Sequence, residues 1–179
     1  DMKVLFLDCD GVLNCDESFK PTFSPITGEK IFAYDPIDPD KMERLNQIVA
    51  ATDCVIVISS AWRVKYTVEQ FRLMFVQAGF VHAPEKIFDV TPRNHERIRG
   101  EEIADWLGTW AFTTNESLEG ICALDDSELF PNYEDVDYEV SARWSSYLSL
   151  IRNNFVRTAM KDGLQDVHVA ECIRRLNVI

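Results

Sequence analysis

The segment Lys3-Val-Leu-Phe-Leu-Asp8-Cys-Asp10-Gly-Val-Leu-Asn14 joins an uninterrupted apolar run to two aspartates and a glycine. An apolar run without polar alternation is typical of a strand that helices cover on both faces. Two carboxylates two residues apart at the end of a strand point to the same side of the sheet, and Gly11 lets the chain turn away sharply. The segment therefore predicts a buried strand with a functional site at its carboxyl end.

The Asp-Cys-Asp-Gly sequence at 8–11 has two alternative interpretations. Aspartate and glycine after a strand are ordinary turn residues, and a D-x-D-G pattern is part of calcium-binding loops. The calcium loop lacks its later ligands, since Gly11 follows the second aspartate directly and no glutamate stands at the twelfth position. On a buried strand, a site is favoured over a turn.

Four further short apolar runs follow, and helix-like stretches separate them. The runs span residues 54–58, 86–88, 121–124 and 154–157, and the helical patterns span residues 40–51, 67–79, 101–110 and 166–176. Strands that alternate with helices predict a parallel sheet built from right-handed crossovers. We expect an α/β fold in three layers, with a Rossmann-like parallel five-stranded sheet in which the first and fourth strands are neighbours.

Two long stretches interrupt this alternation. Residues 15–39 contain four prolines, and residues 127–152 are aromatic and acidic. Connections of this length occur at functional sites and also as plain decoration, so both interpretations stay open for each stretch. The sequence predicts a single domain over residues 1–179, with a flap-like excursion at 15–39 and an insertion at 127–152.

The composition indicates a globular chain with an acidic surface. Apolar residues make up 46% and charged residues 27% of the 179 residues, which excludes disordered and collagen-like chains. The net charge of −12 repels polyphosphate backbones, so extended nonspecific binding of nucleic acid is not expected. The longest apolar runs are too short to span a bilayer, and membrane association is not expected either.

The cysteine pattern bears on the cellular compartment. The five cysteines are odd in number, and no C-x-x-C pair occurs among them. Buried reduced thiols fit this pattern better than a disulfide framework or a structural zinc site. Since no leader-like segment is recognisable, we expect a cytoplasmic location.

Polar residues also follow the second and fourth predicted strands. Ser59 and Ser60 end the second strand, where a hydroxyl can bind an anionic oxygen, although helix capping explains either serine alone equally well. Asp125 and Asp126 end the fourth strand, and adjacent carboxylates repel one another unless a cation lies between them. Taken alone, the Asp125-Asp126 pair is more typical of a solvated turn than of a metal ligand.

The topology is expected to bring these strand ends together. In an open parallel sheet, ligands bind beyond the carboxyl ends of the strands, where the strand order reverses. Asp8, Asp10, Asp125 and Asp126 then converge at one edge, with Ser59 beside them. Oxygen ligands of this kind predict a hard divalent cation, and Mg²⁺ retains coordination positions for a phosphate substrate.

A phosphate also requires positive charge from the protein. Arg93, Arg97 and Arg99 precede the third predicted helix, whose N-terminus can itself hold an anion. Arg99, immediately before the helix, is the phosphate-binding candidate, and solvated surface positions are the alternative for the other two. Arg63 is a further candidate, with stacking against Trp62 as its alternative.

The ordered motifs resemble those of the haloacid dehalogenase (HAD) superfamily of aspartate-nucleophile phosphatases. They are Asp8-x-Asp10-Gly-Val-Leu-Asn14, Ile58-Ser59-Ser60-x-Trp62-Arg63, Arg99-Gly-Glu-Glu-Ile and Leu124-Asp125-Asp126. Within the superfamily, the chain most resembles the small HAD domains of Swiss Army Knife RNA-repair proteins. The similarity extends from the first strand to the last helix.

The resemblance implies a Mg²⁺-dependent phosphomonoester hydrolase with an aspartyl-phosphate intermediate. By this similarity, Asp8 attacks phosphorus, and Asp10 serves first as general acid and then as general base. Mg²⁺ is held by Asp8, the backbone carbonyl of Asp10 and Asp125, with Asp126 as a further ligand or its support. The implied substrate is a phosphorylated small molecule, a nucleotide or a nucleic-acid terminal phosphate.

The same resemblance implies that Ser59 and Arg99 hold the phosphoryl oxygens, with Ser60 and Arg63 as additional phosphate-binding candidates. Most members of the superfamily have lysine where this chain has Arg99, so the planar guanidinium changes the geometry of that contact. The large cap domains of the superfamily are absent, which implies an open site.

Two other functional classes remain as alternatives. A receiver-like phospho-acceptor domain also has an acidic cluster on a parallel sheet, although its acceptor aspartate usually lies on a later strand. A stable phosphoprotein without repeated turnover would favour it. A catalytically silent HAD-like binding domain is disfavoured because every essential role has a candidate residue. The sequence leaves the oligomeric state open.

Overall fold

The computed structural model describes residues 1–93, 98–131 and 138–178, with side chains from residue 145 onward in the last range. The strands are β1 (Met2–Leu7), β2 (Thr22–Phe23), β3 (Lys30–Ile31), β4 (Val55–Ile58), β5 (Ile87–Val90), β6 (Leu118–Asp125) and β7 (Phe155–Arg157). The helices are α1 (Pro39–Thr52), α2 (Val68–Gln77), α3 (Arg99–Thr113), α4 (Tyr138–Asn153) and α5 (Asp166–Leu176).

One parallel sheet organises the chain, and its strand order is β5-β4-β1-β6-β7. Leu7, the last residue of β1, pairs with Ile58 on one side and with Leu124 on the other. Strands β1 and β4 therefore end level with one another at the carboxyl edge of the sheet, and β6 extends one residue further, to Asp125. The residues that follow the paired positions are Asp8, Ser59 and Asp125. The five-stranded parallel sheet and the neighbouring first and fourth predicted strands are confirmed.

Helices cover both faces of this sheet because successive side chains of a strand point to opposite sides. On β1, Leu5 and Leu7 pack with buried residues of α1, α2 and α5. Val4 and Phe6 pack with buried residues of α3 and α4 on the opposite face. This arrangement confirms the three-layer α/β fold and explains why the central strands are apolar at every position.

The stretch at residues 15–39 contains the antiparallel hairpin of β2 and β3. Its base is attached to the turn after β4, because the Asp35 carboxylate accepts hydrogen bonds from the Tyr66 hydroxyl at 2.7 Å and from Lys65 Nζ at 3.0 Å. The excursion thus has its own short secondary structure and a fixed point of attachment beside the carboxyl edge of the sheet.

The stretch at residues 127–152 holds a helix that the sequence pattern did not predict. α4 connects β6 to β7 and packs Leu148 and Ile151 against the sheet and α3. Residues 132–137 of the expected insertion, which include one of its tyrosines, lie outside the described residues, and so do the side chains of 138–144. None of the helices in the described ranges, α4 included, has the length and apolarity needed to cross a membrane.

Candidate active site

Three carboxylates from two neighbouring strands meet at the carboxyl edge of the sheet. One oxygen each of Asp8, Asp125 and Asp126 lies within 4.8 Å of the other two. Asp8 is 6% exposed and Asp125 is 3% exposed, while Asp126 is half-buried. A buried set of oxygen donors at this spacing fits a hard divalent cation such as Mg²⁺.

The turn after β1 packs directly against this cluster, and a glycine makes the approach possible. Gly11 has a φ of +76°, and a Cβ built on it would lie 2.3 Å from Asp126 Oδ2. The turn is also held from β7, because Thr158 Oγ1 donates to the Gly11 carbonyl at 2.6 Å. The sharp turn expected at Gly11 therefore also provides the space that Asp126 occupies.

The two buried carboxylates of the cluster resist ionising together. Burial, followed by the charge of Asp125, raises the pKa of Asp8 well above its usual value, and Arg99 opposes this shift. Burial also raises the pKa of Asp125, again against the effect of Arg99. A cation bound among these oxygens would relieve both effects, because it favours the charged form of each group.

Arg99 is the cation nearest to the cluster among the described contacts. It lies in the first turn of α3, and its Nη1 is 3.0 Å from Asp125 Oδ2 and 3.4 Å from Asp8 Oδ1. The same nitrogen donates to the backbone carbonyl of Ser59. The first turn of α3 thus supplies a positive charge at the point where β1, β4 and β6 end.

The two serines after β4 have different environments. Ser59 is 2% exposed, and its Oγ has no hydrogen-bond partner in the described part of the chain. Ser60 Oγ instead accepts a hydrogen bond from the backbone N–H of Trp62 at 3.2 Å and caps the helical turn that follows. Ser59 therefore keeps a buried hydroxyl without a hydrogen bond in the described part of the chain, whereas Ser60 makes the capping contact that the sequence left open.

Asp10 follows Asp8 by two residues, but its side chain makes contacts outside the three-carboxylate cluster. Its Oδ2 accepts a hydrogen bond from Trp62 Nε1 at 3.1 Å, and its Oδ1 accepts one from Asn14 Nδ2 at 3.0 Å. The carboxyl group is half-buried. Asp10 is thus held by two N–H donors at the rim of the site, while Asp8 lies among the clustered acids.

Arg63 forms a buried ion pair with α3. Its Nη2 is 2.6 Å from Glu102 Oε2, and its Nη1 donates to Thr91 Oγ1 at 2.9 Å. Arg63 also lines a cavity of about 480 Å³ between β5 and α3, together with Arg93. The guanidinium of Arg63 therefore contacts the helix that carries Arg99 and makes no described contact with the acidic cluster. Arg97 lies outside the described residues.

Comparison with protein families assigns this chain to a family. Residues 4–169 match the family described as the HAD domain in Swiss Army Knife RNA repair proteins. The chain belongs to this family. No curated protein and no solved structure matched it. Membership supports a hydrolase function of the phosphatase type for this HAD domain, and the resemblance found in the sequence motifs is confirmed.

Three residues of this HAD domain, Trp62, Asn14 and Thr158, make contacts at the site that the sequence motifs did not predict. Trp62 and Asn14 both stand within the quoted motifs, yet neither residue type signals a contact with the Asp10 carboxylate, which is 52 positions from Trp62 and four from Asn14. Thr158 directly follows β7, so the rule that polar residues at strand ends approach the site would have found it.

Proposed function

We propose that this HAD domain hydrolyses phosphate monoesters with Mg²⁺, through an aspartyl-phosphate on Asp8. The observation that carries the proposal is the meeting of the Asp8, Asp125 and Asp126 carboxylates with the Arg99 guanidinium, which also contacts the backbone carbonyl of Ser59. The buried hydroxyl of Ser59 has no hydrogen-bond partner in the described part of the chain. Acidic residues alone fit a cation, and a neighbouring cation with an unpartnered hydroxyl fits a phosphoryl group. Together, the acidic cluster, Arg99 and Ser59 fit the metal ion and the phosphoryl group of a metal-assisted phosphoryl transfer.

Asp8, Asp125 and Asp126 are the residues that would hold the metal, with the backbone carbonyl of Asp10 as the fourth contact that the family resemblance implies. When bound, Mg²⁺ would neutralise the clustered carboxylates and the charge of the phosphoryl group. The buried, all-oxygen donor set fits this ion, since Mg²⁺ is bound through carboxylates in sites that it shares with phosphate.

Asp8 supplies the nucleophile. A carboxylate oxygen of Asp8 forms a bond to phosphorus while the bond from phosphorus to the ester oxygen breaks, and Asp10 gives its proton to that leaving oxygen. A water molecule then attacks phosphorus while the bond from phosphorus to the Asp8 oxygen breaks, Asp10 takes a proton from the water, and inorganic phosphate leaves with the Asp8 carboxylate restored. Asp10 can serve in both steps because its carboxyl group lies at the rim of the site, apart from the clustered acids.

Ser59 and Arg99 hold the phosphoryl oxygens in this mechanism. The buried Ser59 Oγ lacks a partner in the described chain, and such a hydroxyl gains a hydrogen bond when an anionic oxygen arrives. Arg99 already lies beside Asp8 and provides positive charge where charge develops on the transferring group. Ser60 and Arg63 support this arrangement indirectly, one by capping the turn after β4 and the other by its ion pair with α3.

The family is the support for the proposed substrate class. Its RNA repair context favours a nucleotide or a nucleic-acid terminal phosphate. The net charge of −12 opposes long polyanions, so we propose a mononucleotide or a short end rather than an extended strand.

We propose the cytoplasm as the location of this HAD domain. All five cysteines are free and buried, which fits a reducing compartment.

The decisive experiment compares the wild-type protein with Asp8→Asn on 4-nitrophenyl phosphate, with Mg²⁺ and with EDTA. We expect turnover only for the wild type with Mg²⁺, and we expect Asp16→Asn, which changes an exposed acid outside the cluster, to remain active. Retained activity of Asp8→Asn would remove the nucleophile from the proposal. A stable phosphoprotein without turnover would identify a receiver-like acceptor instead, and wild-type inactivity on phosphorylated metabolites, nucleotides and oligonucleotide ends would favour a silent binding domain.

A further inference from the structure

The indole of Trp62 contacts the acid of the proposed reaction from an otherwise apolar environment. Trp62 is 1% exposed, and its Nε1 donates to Asp10 Oδ2 at 3.1 Å. We propose that Trp62 is a positioning residue for Asp10, whose carboxyl group it holds in the orientation that delivers a proton to the leaving oxygen. This inference rests on the proposed function, in which Asp10 is the general acid.

The N–H donor is fixed by the packing around it. Trp62 lies in the core formed by β1, β4 and the helices on one face, and its ring meets Tyr66 edge to face at a centroid distance of 6.4 Å. Its backbone N–H is bound by Ser60 Oγ in the capped turn. A buried side chain has little freedom to change rotamer, so the indole N–H keeps one position and the Asp10 carboxyl group follows it.

A second donor holds the opposite oxygen of the same carboxyl group. Asn14 Nδ2 is 3.0 Å from Asp10 Oδ1 and also donates to the Pro36 carbonyl at 3.0 Å. Asn14 Oδ1 in turn accepts from the Gly11 N–H at 2.9 Å. Two donors on opposite oxygens fix the plane of a carboxyl group, and each oxygen keeps a second lone pair that can carry the proton. Without the indole N–H, Asn14 would be the one of these two donors that still holds the Asp10 carboxyl group.

The orientation of the acid matters most when the leaving group is a poor one. As the bond from phosphorus to the ester oxygen breaks, the proton of Asp10 moves to that oxygen, and an alkoxide needs this proton far more than 4-nitrophenolate does. A misplaced acid therefore slows alkyl phosphates selectively. A purely structural contribution of Trp62 would instead lower activity on all substrates alike.

The chain contains a matched control for the loss of an indole N–H. Trp106, in α3, is also buried, and its Nε1 donates to Asp89 Oδ2 at 2.8 Å. Neither Trp106 nor Asp89 belongs to the cluster or to its described contacts. Trp106→Phe therefore removes the same type of hydrogen bond at a position outside the proposed machinery.

The first test measures kcat and KM of Trp62→Phe and Trp106→Phe with 4-nitrophenyl phosphate and with ethyl phosphate. For Trp62→Phe we expect kcat/KM, which reports only the step in which Asp10 acts as the acid, to fall about tenfold or more on ethyl phosphate and by less than about threefold on 4-nitrophenyl phosphate. Trp106→Phe should keep the wild-type ratio between the two substrates. An equal loss of kcat/KM on both substrates, or no loss, would overturn the positioning role of Trp62.

The second test needs neither turnover nor metal. In the ¹⁵N-labelled metal-free protein, the indole N–H resonance of Trp62 is assigned from its disappearance in Trp62→Phe. We expect this resonance to move upfield in Asp10→Ala while that of Trp106 stays in place, and an unmoved Trp62 resonance would overturn the contact. A wild-type protein inactive on both esters would refute the proposed function and this role together, whereas a uniform loss in Trp62→Phe refutes the role alone.

Discussion

Arg99 Nη1 lies 3.0 Å from Asp125 Oδ2, although one residue begins a helix and the other ends a strand. The same nitrogen is 3.4 Å from Asp8 Oδ1, so one guanidinium neutralises part of the charge of two buried acids. Its side chain is 25% exposed and therefore also open to a ligand that enters the site. A single cation can thus stabilise the acidic cluster and then contact the phosphoryl group.

Removal of this cation should reduce phosphoryl transfer. We expect Arg99→Met to lower kcat on 4-nitrophenyl phosphate about 10²- to 10³-fold, because a positioned charge at the transition state is lost. Arg99→Lys keeps a point charge and should lose less. Steady-state kinetics check both variants against Arg44→Met, which breaks a surface pair with Asp166. Equal activity of Arg99→Met and Arg44→Met would contradict the assignment.

The raised pKa of Asp8 couples the stability of the metal-free protein to pH. Burial and the charge of Asp125 raise this pKa above its usual value of 3.8, so the folded protein holds the proton more tightly than the unfolded chain does. The free energy of unfolding therefore decreases as pH rises above 3.8 towards the folded pKa. We expect Asp8→Asn, which cannot ionise, to lack this decrease.

Urea unfolding in EDTA between pH 5 and pH 8 checks this expectation. The free energy of unfolding of Asp8→Asn should decrease less with rising pH than that of the wild type, and Mg²⁺ should stabilise the wild type more than the variant. Parallel pH profiles of the two proteins would show that Asp8 does not titrate differently in the folded state.

Gly11 provides a test of the close approach between the turn and Asp126. A Cβ at Gly11 would lie 2.3 Å from Asp126 Oδ2, whereas a Cβ at Gly28 has nothing within 4 Å, and both residues have positive φ, +76° and +71°. We expect Gly28→Ala to lower the free energy of unfolding by about 1 kcal/mol through backbone strain. Gly11→Ala should lower it by about 1–3 kcal/mol more through crowding. Equal losses in urea unfolding would contradict the crowding at Asp126.

We expect Arg63 to stabilise α3 through its ion pair with Glu102 rather than to bind phosphate. Both side chains are less than a tenth exposed, so Arg63→Met leaves a buried carboxylate without its arginine partner and should lower the free energy of unfolding by about 3–5 kcal/mol. The double variant Arg63→Met with Glu102→Leu should recover much of this loss.

Activity separates the two roles of Arg63. If Arg63 acts mainly through its ion pair with Glu102, the double variant Arg63→Met with Glu102→Leu should regain both stability and kcat/KM on 4-nitrophenyl phosphate. A double variant that is stable but has a KM raised severalfold would instead support the phosphate contact that the sequence predicts for Arg63.

The sheet and the meeting of its acidic residues could be predicted because they follow from pattern and topology. Apolar runs identify buried strands, and the carboxyl ends of parallel strands share one edge, so Asp8 and Asp125 were expected together without any knowledge of side-chain packing. In the structure, Leu7 pairs with Leu124, so Asp8 and Asp125, which follow them, lie at neighbouring positions.

Contacts that depend on side-chain packing could not be predicted in the same way. The hydrogen bond from Trp62 to Asp10 joins residues 52 positions apart, and tryptophan in a motif is equally typical of a core residue. The pairing of Arg63 with Glu102 depends on where α3 crosses the sheet. α4 was missed because the aromatic and acidic residues before its apolar positions obscured the helical spacing.

The most direct measurement is the anomalous scattering of Mn²⁺, a substitute for Mg²⁺, in crystals of the wild-type protein. We expect a single strong peak bounded by the carboxylates of Asp8, Asp125 and Asp126, and no peak there in crystals of Asp125→Asn. A wild-type crystal with Mn²⁺ bound elsewhere and none among these three acids would contradict the proposed metal site and the reaction that depends on it.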